Sequence, residues 1–355
     1  MGIKTAVAMS GGVDSTVAAW LLRQEGHDVV GVTMSLFHGE NGLPPSPDMT
    51  DAQTVAKQLG IPHHVLDLAP CFRRDVVEPF VREYEQGRTP NPCANCNRCL
   101  KFGTLLEKAQ ELGCHKMATG HYARITYDQG ADRWLLYKAS RPEKDQSYVL
   151  YTLTQNQLSH TLLPLAHLSK DEIRAIAQEQ KLVTAHKSDS QDICFIPDGD
   201  YASFIRAYRG KEYPAGPFLD ESGRVLGTHT GLIGYTVGQR RGLGVSSNHG
   251  RLYVKEVRPQ DNSVILSENS SLFSRSLTAE QVNFIPFDRL DAPLRLKAKV
   301  RYRMTEQPCT VEQTGPDSIR VTFDQPQRAV TPGQSVVLYD GDAVIGGGVI
   351  LKGEP

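Results

Sequence analysis

Apolar and polar positions divide the chain into two textures. Residues 3–9, IKTAVAM, are a short apolar run that ends at the glycines of SGGVDS. In STVAAWLLRQEG, Val17, Ala18, Trp20, Leu21 and Leu22 recur at mostly helical spacing, and Gly26 stops the pattern. HDVVGVTMSLF reads as a second buried strand, DAQTVAKQLGI as the next helix and HHVLDL as a third strand. Strand–helix–strand alternation predicts an α/β fold, a doubly wound parallel sheet. It continues through the helix LKFGTLLEKAQELG and a strand HKMATGHYARI, and Ser169 with Glu172 forms a capping box that opens a helix over 169–180.

After about residue 205, glycine, proline and alternating strands take over, and no strong helix is expected up to Pro355. Three domains follow: a nucleotide-binding catalytic domain over 1–204, a small β-rich central domain over 205–270, and a C-terminal β-barrel or sandwich over 271–355. Residues 165–182 are expected to pack with either the first domain or the central one. There is no internal repeat.

Composition narrows the class. The 355 residues are 39% hydrophobic and 22% charged, with no low-complexity tract, which is globular usage. No apolar run approaches the ~18 residues that span a bilayer, and MGIKTAVAMSGG lacks the form of a signal peptide. The expectation is a cytoplasmic protein without a membrane partner, where clustered cysteines more often bind metal or do chemistry than form disulfides. A formal charge of −1 argues against a globally cationic nucleic-acid coat and leaves room for local basic faces.

AMSGGVDST, residues 8–16, lies where a strand hands over to a helix. Gly11 and Gly12 let the backbone approach an anion, and the amides of the helix start point at it. Ser10 and Ser15 add hydroxyls, and Asp14 is placed to orient the loop or to hold Mg²⁺. There is no Walker lysine and no G-x-G-x-x-G, so neither a P-loop NTPase nor a dinucleotide site fits. SGGVDS is similar to the pyrophosphate loop of the PP-loop ATPases. That resemblance implies ATP cleaved between its α and β phosphates, with a substrate oxygen adenylated.

Of seven cysteines, three are spaced three apart in TPNPCANCNRCLKF: Cys93, Cys96 and Cys99. Pro92 breaks helix before Cys93, and the stripe Phe102, Leu105, Leu106, Ala109, Leu112 has a helix running by about residue 100. Cys96 is therefore expected at a helix N-terminus, where the thiol pKa falls and the sulfur becomes reactive. A structural zinc needs four closed ligands, and only three are offered here. Cys194, between Ile193 and Phe195, reads from local pattern as a buried strand cysteine. Cys71, Cys114 and Cys309 carry no motif.

AMSGGVDS, GRTPNPCANCNRCLKF, ATGHYAR, KDQSYVLYTL, DSQDICFI, GLIGYTVGQRRGLG, VRYR and VTPGQSVVLYDGD together resemble the bacterial tRNA-specific 2-thiouridylases, in order and over nearly the whole chain. The resemblance implies a PP-loop domain, a small central domain and a C-terminal β-barrel, and an ATP-dependent tRNA-uridine 2-sulfurtransferase that thiolates the wobble uridine. It implies that Ala8, Met9, Ser10, Gly11, Gly12, Val13, Asp14 and Ser15, with Met34 and Gly120, line the site for ATP and Mg²⁺. Cys96 would be the nucleophile and Cys194 the persulfide carrier, with Asp14 assisting catalysis. Asn91, Pro92 and Cys93 would face the target base, while Lys144, Asp145, Gln146, Arg301 and Tyr302 would touch tRNA. The implied partners are the anticodon loops of the tRNAs for Lys, Glu and Gln, and a sulfur donor such as a cysteine desulfurase or sulfur-relay protein.

One residue departs from the family pattern: position 93, often aspartate, is Cys93 here. Cys93, Cys96 and Cys194 could thus supply three thiolates to a [4Fe–4S] cluster whose open iron carries sulfide, with Cys99 able to replace one of them. The persulfide and cluster routes both stay open from sequence. Two further classes share features with this chain: a PP-loop amidating ligase and a metal-stabilised RNA-binding adaptor. Pyrophosphate release that depends on tRNA separates them from a thiolating enzyme.

RLKAKVRYR, residues 295–303, alternates strictly, which places Arg295, Lys297, Lys299, Arg301 and Arg303 on one face of a strand, suited to phosphate contact. GQRRGLG and RAYRGK are expected as further basic loops. His121 is read as packing at a strand end near the nucleotide, and His63 and His64 as incidental.

Overall fold

The computed structural model describes residues 2–37, 49–187, 193–245 and 250–355. The chain forms two compact units, one of Met1–Val76, Cys93–Phe195 and Gly341–Ile345, the other of Val77–Pro92, Ile196–Asp340 and Gly346–Pro355. The part of the DSQDICFI motif before Ile193 lies outside the described residues. No helix among the described residues is long and apolar enough to cross a membrane.

The chain begins β1 (Lys4–Ala8), α1 (Val13–Gln24), β2 (Asp28–Ser35), α2 (Met49–Leu59) and β3 (His63–Asp67). A helical stretch follows as α3 (Ala69–Phe72), a π-helix over Arg73–Val77 and α4 (Glu78–Glu85). Next, α5 (Pro92–Asn95) runs into a π-helix, Cys96–Thr104, and then α6 (Leu105–Glu111). β4 (Lys116–Ala118), β5 (Ala123–Asp128), β6 (Arg133–Lys138), α7 (Gln155–His160), β7 (Thr161–Leu162) and α8 (Lys170–Glu179) complete the run.

In the first unit the sheet order is β3-β2-β1-β4-β7, with every neighbour parallel. The order reverses between β1 and β4. Connections after these two strands therefore part company at their carboxyl ends, the usual position of a ligand crevice in such sheets. Val7 of β1, Val17, Ala18 and Leu22 of α1, and Ile173 and Ala177 of α8 share one apolar core, so the segment around α8 packs on α1.

Two local expectations are corrected. HKMATGHYARI is not one strand: after β4 the chain leaves the parallel sheet, and β5 pairs antiparallel with β6. Apolar runs do not register such a departure. The helix expected by residue 100 already starts at Pro92, because proline is tolerated in a first helical turn, where its missing amide has no partner to lose.

In the second unit α9 (Tyr201–Arg209), capped by Asp200, was not legible as a helix because it straddles the change of texture near residue 205. β8 (Gly216–Leu219), β9 (Val225–His229), β10 (Tyr253–Arg258) and β11 (Ser263–Ser267) form a sheet in the order β10-β11-β8-β9. Phe218, Tyr235, Val254 and Leu266 fill its core. β12 (Phe273–Phe284), β13 (Leu294–Lys299), β14 (Gln307–Gly315), β15 (Ser318–Arg328), β16 (Ser335–Asp340) and β17 (Ala343–Glu354) follow. Their order is β12-β15-β14-β13-β16-β17, and β17 pairs back onto β12, which closes a barrel and leaves no open edge.

Candidate active site

The crevice beside β1 is built from two loops. Gly11 has φ +73°, a left-handed conformation that glycine takes without steric cost. Gly12 caps α1 with extended backbone and no side-chain hydrogen bond, so no side chain covers the first-turn amides. Ser15 Oγ accepts from the Ser10 amide at 3.2 Å and donates to the Gly12 carbonyl at 3.1 Å, which curls the loop. From the other side comes Gly120, two residues past β4. A Cβ there would sit 2.8 Å from Ser15 N and 2.9 Å from Asp14. Ala8 to Ser15 and Gly120 thus meet in one place, while Met34 lies half-buried near the end of β2.

Asp14 is held by two residues that the sequence did not single out. Its Oδ1 accepts from Tyr122 Oη at 2.7 Å and from Lys170 Nζ at 2.6 Å. Both partners are more than a hundred positions away, and no local pattern signals either. Oδ2 carries no hydrogen bond among the described residues. One carboxylate oxygen beside a helix N-terminus is a donor that suits Mg²⁺ on a phosphate.

The cysteine segment differs from expectation. Cys96 is not at a free helix N-terminus: it begins the π-helix and is buried. Burial pushes its thiol up to about 11, against a lowering by Lys101. Cys194 is exposed in a turn rather than buried in a strand. Protein packed around its sulfur still pushes the thiol up to about 12, with the Cys96 and Cys93 sulfurs adding to the shift. Cys93 keeps an exposed surface, and burial of its sulfur raises it as well, again opposed by Lys101.

Cys93, Cys96 and Cys194 therefore share one electrostatic environment with a single common cation, Lys101, among the described residues. The π-helix accounts for the Cys96 part of this. Its hydrogen bonds run from i to i+5, as in Leu105 N to Leu100 O, so Cys96 and Lys101 lie one turn apart on one face. His121 completes the surroundings: its ring lies 5.7 Å from that of Phe102, and Nδ1 is 2.7 Å from Thr119 Oγ1. Burial, then Lys101, holds its pKa well below the ordinary value, so the imidazole is neutral.

Cys99 stands apart. Its electrostatic neighbours are Arg98, Asp75 and Arg74, not Cys194. Among the described residues no group of three His, Cys, Asp or Glu side chains is placed to hold a metal ion. The three sulfurs are not gathered as a metal-holding group among the described residues, and no step is derived through a [4Fe–4S] cluster.

The expected tRNA residues have mixed positions. Asn91 is half-buried, Pro92 is buried at the start of α5, and Lys144 is half-buried at a 3-10 turn. Asp145 and Gln146 use their side chains internally: Asp145 accepts from the Ala139 and Ser147 amides, and Gln146 Oε1 accepts from the Tyr122 amide at 3.0 Å. Tyr302 is 43% exposed. The five-cation row does not form. β13 ends at Lys299, so Arg301 and Arg303 fall in the following bend and turn. Arg295, though exposed, pairs with Asp324 at 2.7 Å and Lys299 with Glu306 at 3.7 Å, which leaves Lys297 as the exposed cation of the strand without an ion pair among the described residues. Strict alternation in sequence cannot show where a strand stops. RAYRGK is likewise not a basic loop: Arg206 and Arg209 lie in α9, and Arg209 bridges Glu78 at 2.7 Å and Glu85 at 3.0 Å.

Comparison with known proteins places this arrangement. Residues 3–198 match a family model described as tRNA methyl transferase HUP domain. Residues 202–268 match a tRNA methyl transferase PRC-barrel domain, and 274–350 an aminomethyltransferase beta-barrel domain. A protein of Clostridioides difficile named tRNA-specific 2-thiouridylase MnmA is 46% identical, covering 99% of each chain. Proteins of the same name from Carboxydothermus hydrogenoformans and Acetivibrio thermocellus are 47% and 46% identical over 98% of this chain. The domain descriptions speak of methyl transfer, but the relatives that match end to end are thiouridylases, and a full-length match outweighs a domain label.

Proposed function

The chain belongs to the tRNA-specific 2-thiouridylases, and from that premise we propose how its own residues carry out the ATP-dependent thiolation of a tRNA uridine. The C2 oxygen of the wobble uridine attacks the α-phosphorus of ATP, and the bond to pyrophosphate breaks. The first-turn amides of α1 and the hydroxyl of Ser10 hold the departing phosphates, while Ser15 braces the loop through Gly12 and the Ser10 amide. Asp14 orients this loop and offers Oδ2 to Mg²⁺, which when bound supplies charge neutralisation on the phosphates.

Sulfur arrives as a persulfide on Cys194, loaded by a cysteine desulfurase or a sulfur-relay protein. Exposure of Cys194 supports its role as the receiving thiol. The outer sulfur attacks C2, the C2–O bond breaks, and AMP leaves with the oxygen. Cys96 then attacks the Cys194 sulfur. A Cys96–Cys194 disulfide forms, the bond from Cys194 to the transferred sulfur breaks, and 2-thiouridine is released. A thiol reductant resets the pair. Lys101 stabilises the Cys96 thiolate in this step.

Asn91, Pro92 and Cys93 border the flipped base, while Lys144, Arg301 and Tyr302 contact the RNA and Asp145 and Gln146, bonded to Ala139, Ser147 and Tyr122, shape the segment that meets it. An anticodon loop suits such extrusion because its bases are single-stranded. The substrates would be the tRNAs for Lys, Glu and Gln, met in the cytoplasm. The observation that carries the persulfide reading is the shared environment of Cys194 and Cys96, which are far apart in sequence.

The test is mass analysis of tRNA nucleosides after incubation with ATP and a persulfide donor. Wild type should form 2-thiouridine; Cys194→Ser and Cys96→Ser should form none while still releasing pyrophosphate in a tRNA-dependent way. Thiolation that survives Cys194→Ser overturns the reading. Protein purified without oxygen that binds iron, and loses iron and activity together on Cys93→Ala, replaces it with the cluster route.

A further inference from the structure

The nucleotide loop contains a charge conflict that one distant residue resolves. Asp14 sits in the first turn of α1, where its carboxylate suits the positive end of the helix dipole. That is also where a polyphosphate must lodge, and the two negative charges repel. Lys170 places its ammonium 2.6 Å from Asp14 Oδ1, with its side chain only 10% exposed.

Lys170 is the first residue of α8, directly after the Ser169 cap, so its charge opposes that helix's own dipole. The contact between α1 and α8 is already made by Ala18, Leu22, Ile173 and Ala177. Tyr122, 2% exposed, donates to the same oxygen at 2.7 Å and fixes the carboxylate's direction without supplying charge.

We propose that Lys170 is a positioning residue of the nucleotide site, which neutralises Asp14 so that the first turn of α1 can receive the phosphates of ATP. This rests on residues 8–15 being the ATP loop. Lys170 acts through Asp14 and governs affinity for the phosphate part of the ligand, not for adenosine.

The experiment is calorimetric titration of the full-length protein with ATP, with and without Mg²⁺, and with adenosine. It uses wild type, Lys170→Met, Lys170→Arg and the double variant Asp14→Asn/Lys170→Met. Lys170→Met should weaken ATP at least tenfold and leave adenosine within twofold. Lys170→Arg should stay within about threefold of wild type for both. In the titrations without Mg²⁺, the double variant, which removes the uncompensated carboxylate, should recover most of the lost ATP affinity. It also carries the test if Lys170→Met alone folds poorly. Equal losses for ATP and adenosine, ATP binding by Lys170→Met within twofold of wild type, or a double variant as weak as Lys170→Met in the absence of Mg²⁺ would each overturn the proposal. None of these needs tRNA, so the inference fails separately from the thiolation mechanism; a wild type that binds no ATP would instead remove the reading of the loop.

Discussion

Cys96 and Lys101 stand one turn apart on the same face of a π-helix, and the ammonium also acts on Cys93 and Cys194. An α-helix would turn residues five apart away from each other. Lys101→Met should therefore slow single-turnover tRNA thiolation about tenfold near pH 8, a loss of about 1.4 kcal/mol of thiolate stabilisation. Lys101→Arg should retain most of the rate. A Lys101→Met enzyme with the pH–rate profile of wild type would disprove the role.

The same burial predicts alkaline sensitivity. The Cys96 thiol rises from its ordinary value of 9.0 to about 11 on folding. A raised acid keeps its proton longer when folded, so its contribution is complete below pH 9 and lost as the pH climbs through about 11. The amount is on the order of 2 kcal/mol. Melting temperature measured from pH 8 to 11 should fall more steeply for wild type than for Cys96→Ala. Parallel curves would refute it.

Gly120→Ala tests the close approach of the two loops. The added methyl would lie 2.8 Å from Ser15 N and 2.9 Å from backbone and side-chain carbon of Asp14, so one loop must move. We expect about 1–3 kcal/mol of destabilisation and a KM for ATP raised roughly tenfold, 1.4 kcal/mol. An unchanged KM would mean that nucleotide binding tolerates the separation.

On β13 neighbouring lysines should behave oppositely. Lys299→Glu would face Glu306, both side chains being about 15% exposed, and should cost about 1–3 kcal/mol of stability. Lys297→Glu is exposed and should change stability by less than about 0.5 kcal/mol, while raising the KM for tRNA and flattening its salt dependence. Thermal melts and tRNA titrations distinguish the two, and an unaffected KM for Lys297→Glu would place this face outside the RNA contact.

What the sequence determined by itself is what short-range chemistry encodes. The apolar run before SGGVDS, the helical stripe after it and the capping box of Ser169 and Glu172 each depend on residues a few positions apart, and each stands in the structure. The glycine turn into α1 was legible for the same reason: glycines, hydroxyls and a helix start are adjacent in the chain. Residue-by-residue matches to a family extended that reach to Cys194 and Gly120.

Tertiary structure decided the rest. The row of cations after Arg295 dissolved because β13 ends at Lys299 and carboxylates from other segments claim Arg295 and Lys299. The reactivity expected of Cys96 from a helix N-terminus gave way to desolvation, a property of everything packed around the sulfur. Tyr122 and Lys170 reach Asp14 because sheet order brings the loop after β4 beside the loop after β1, with α8 laid on α1. Neither partner leaves a local trace, since a hydrogen bond spanning more than a hundred positions exists only once the sheet has formed.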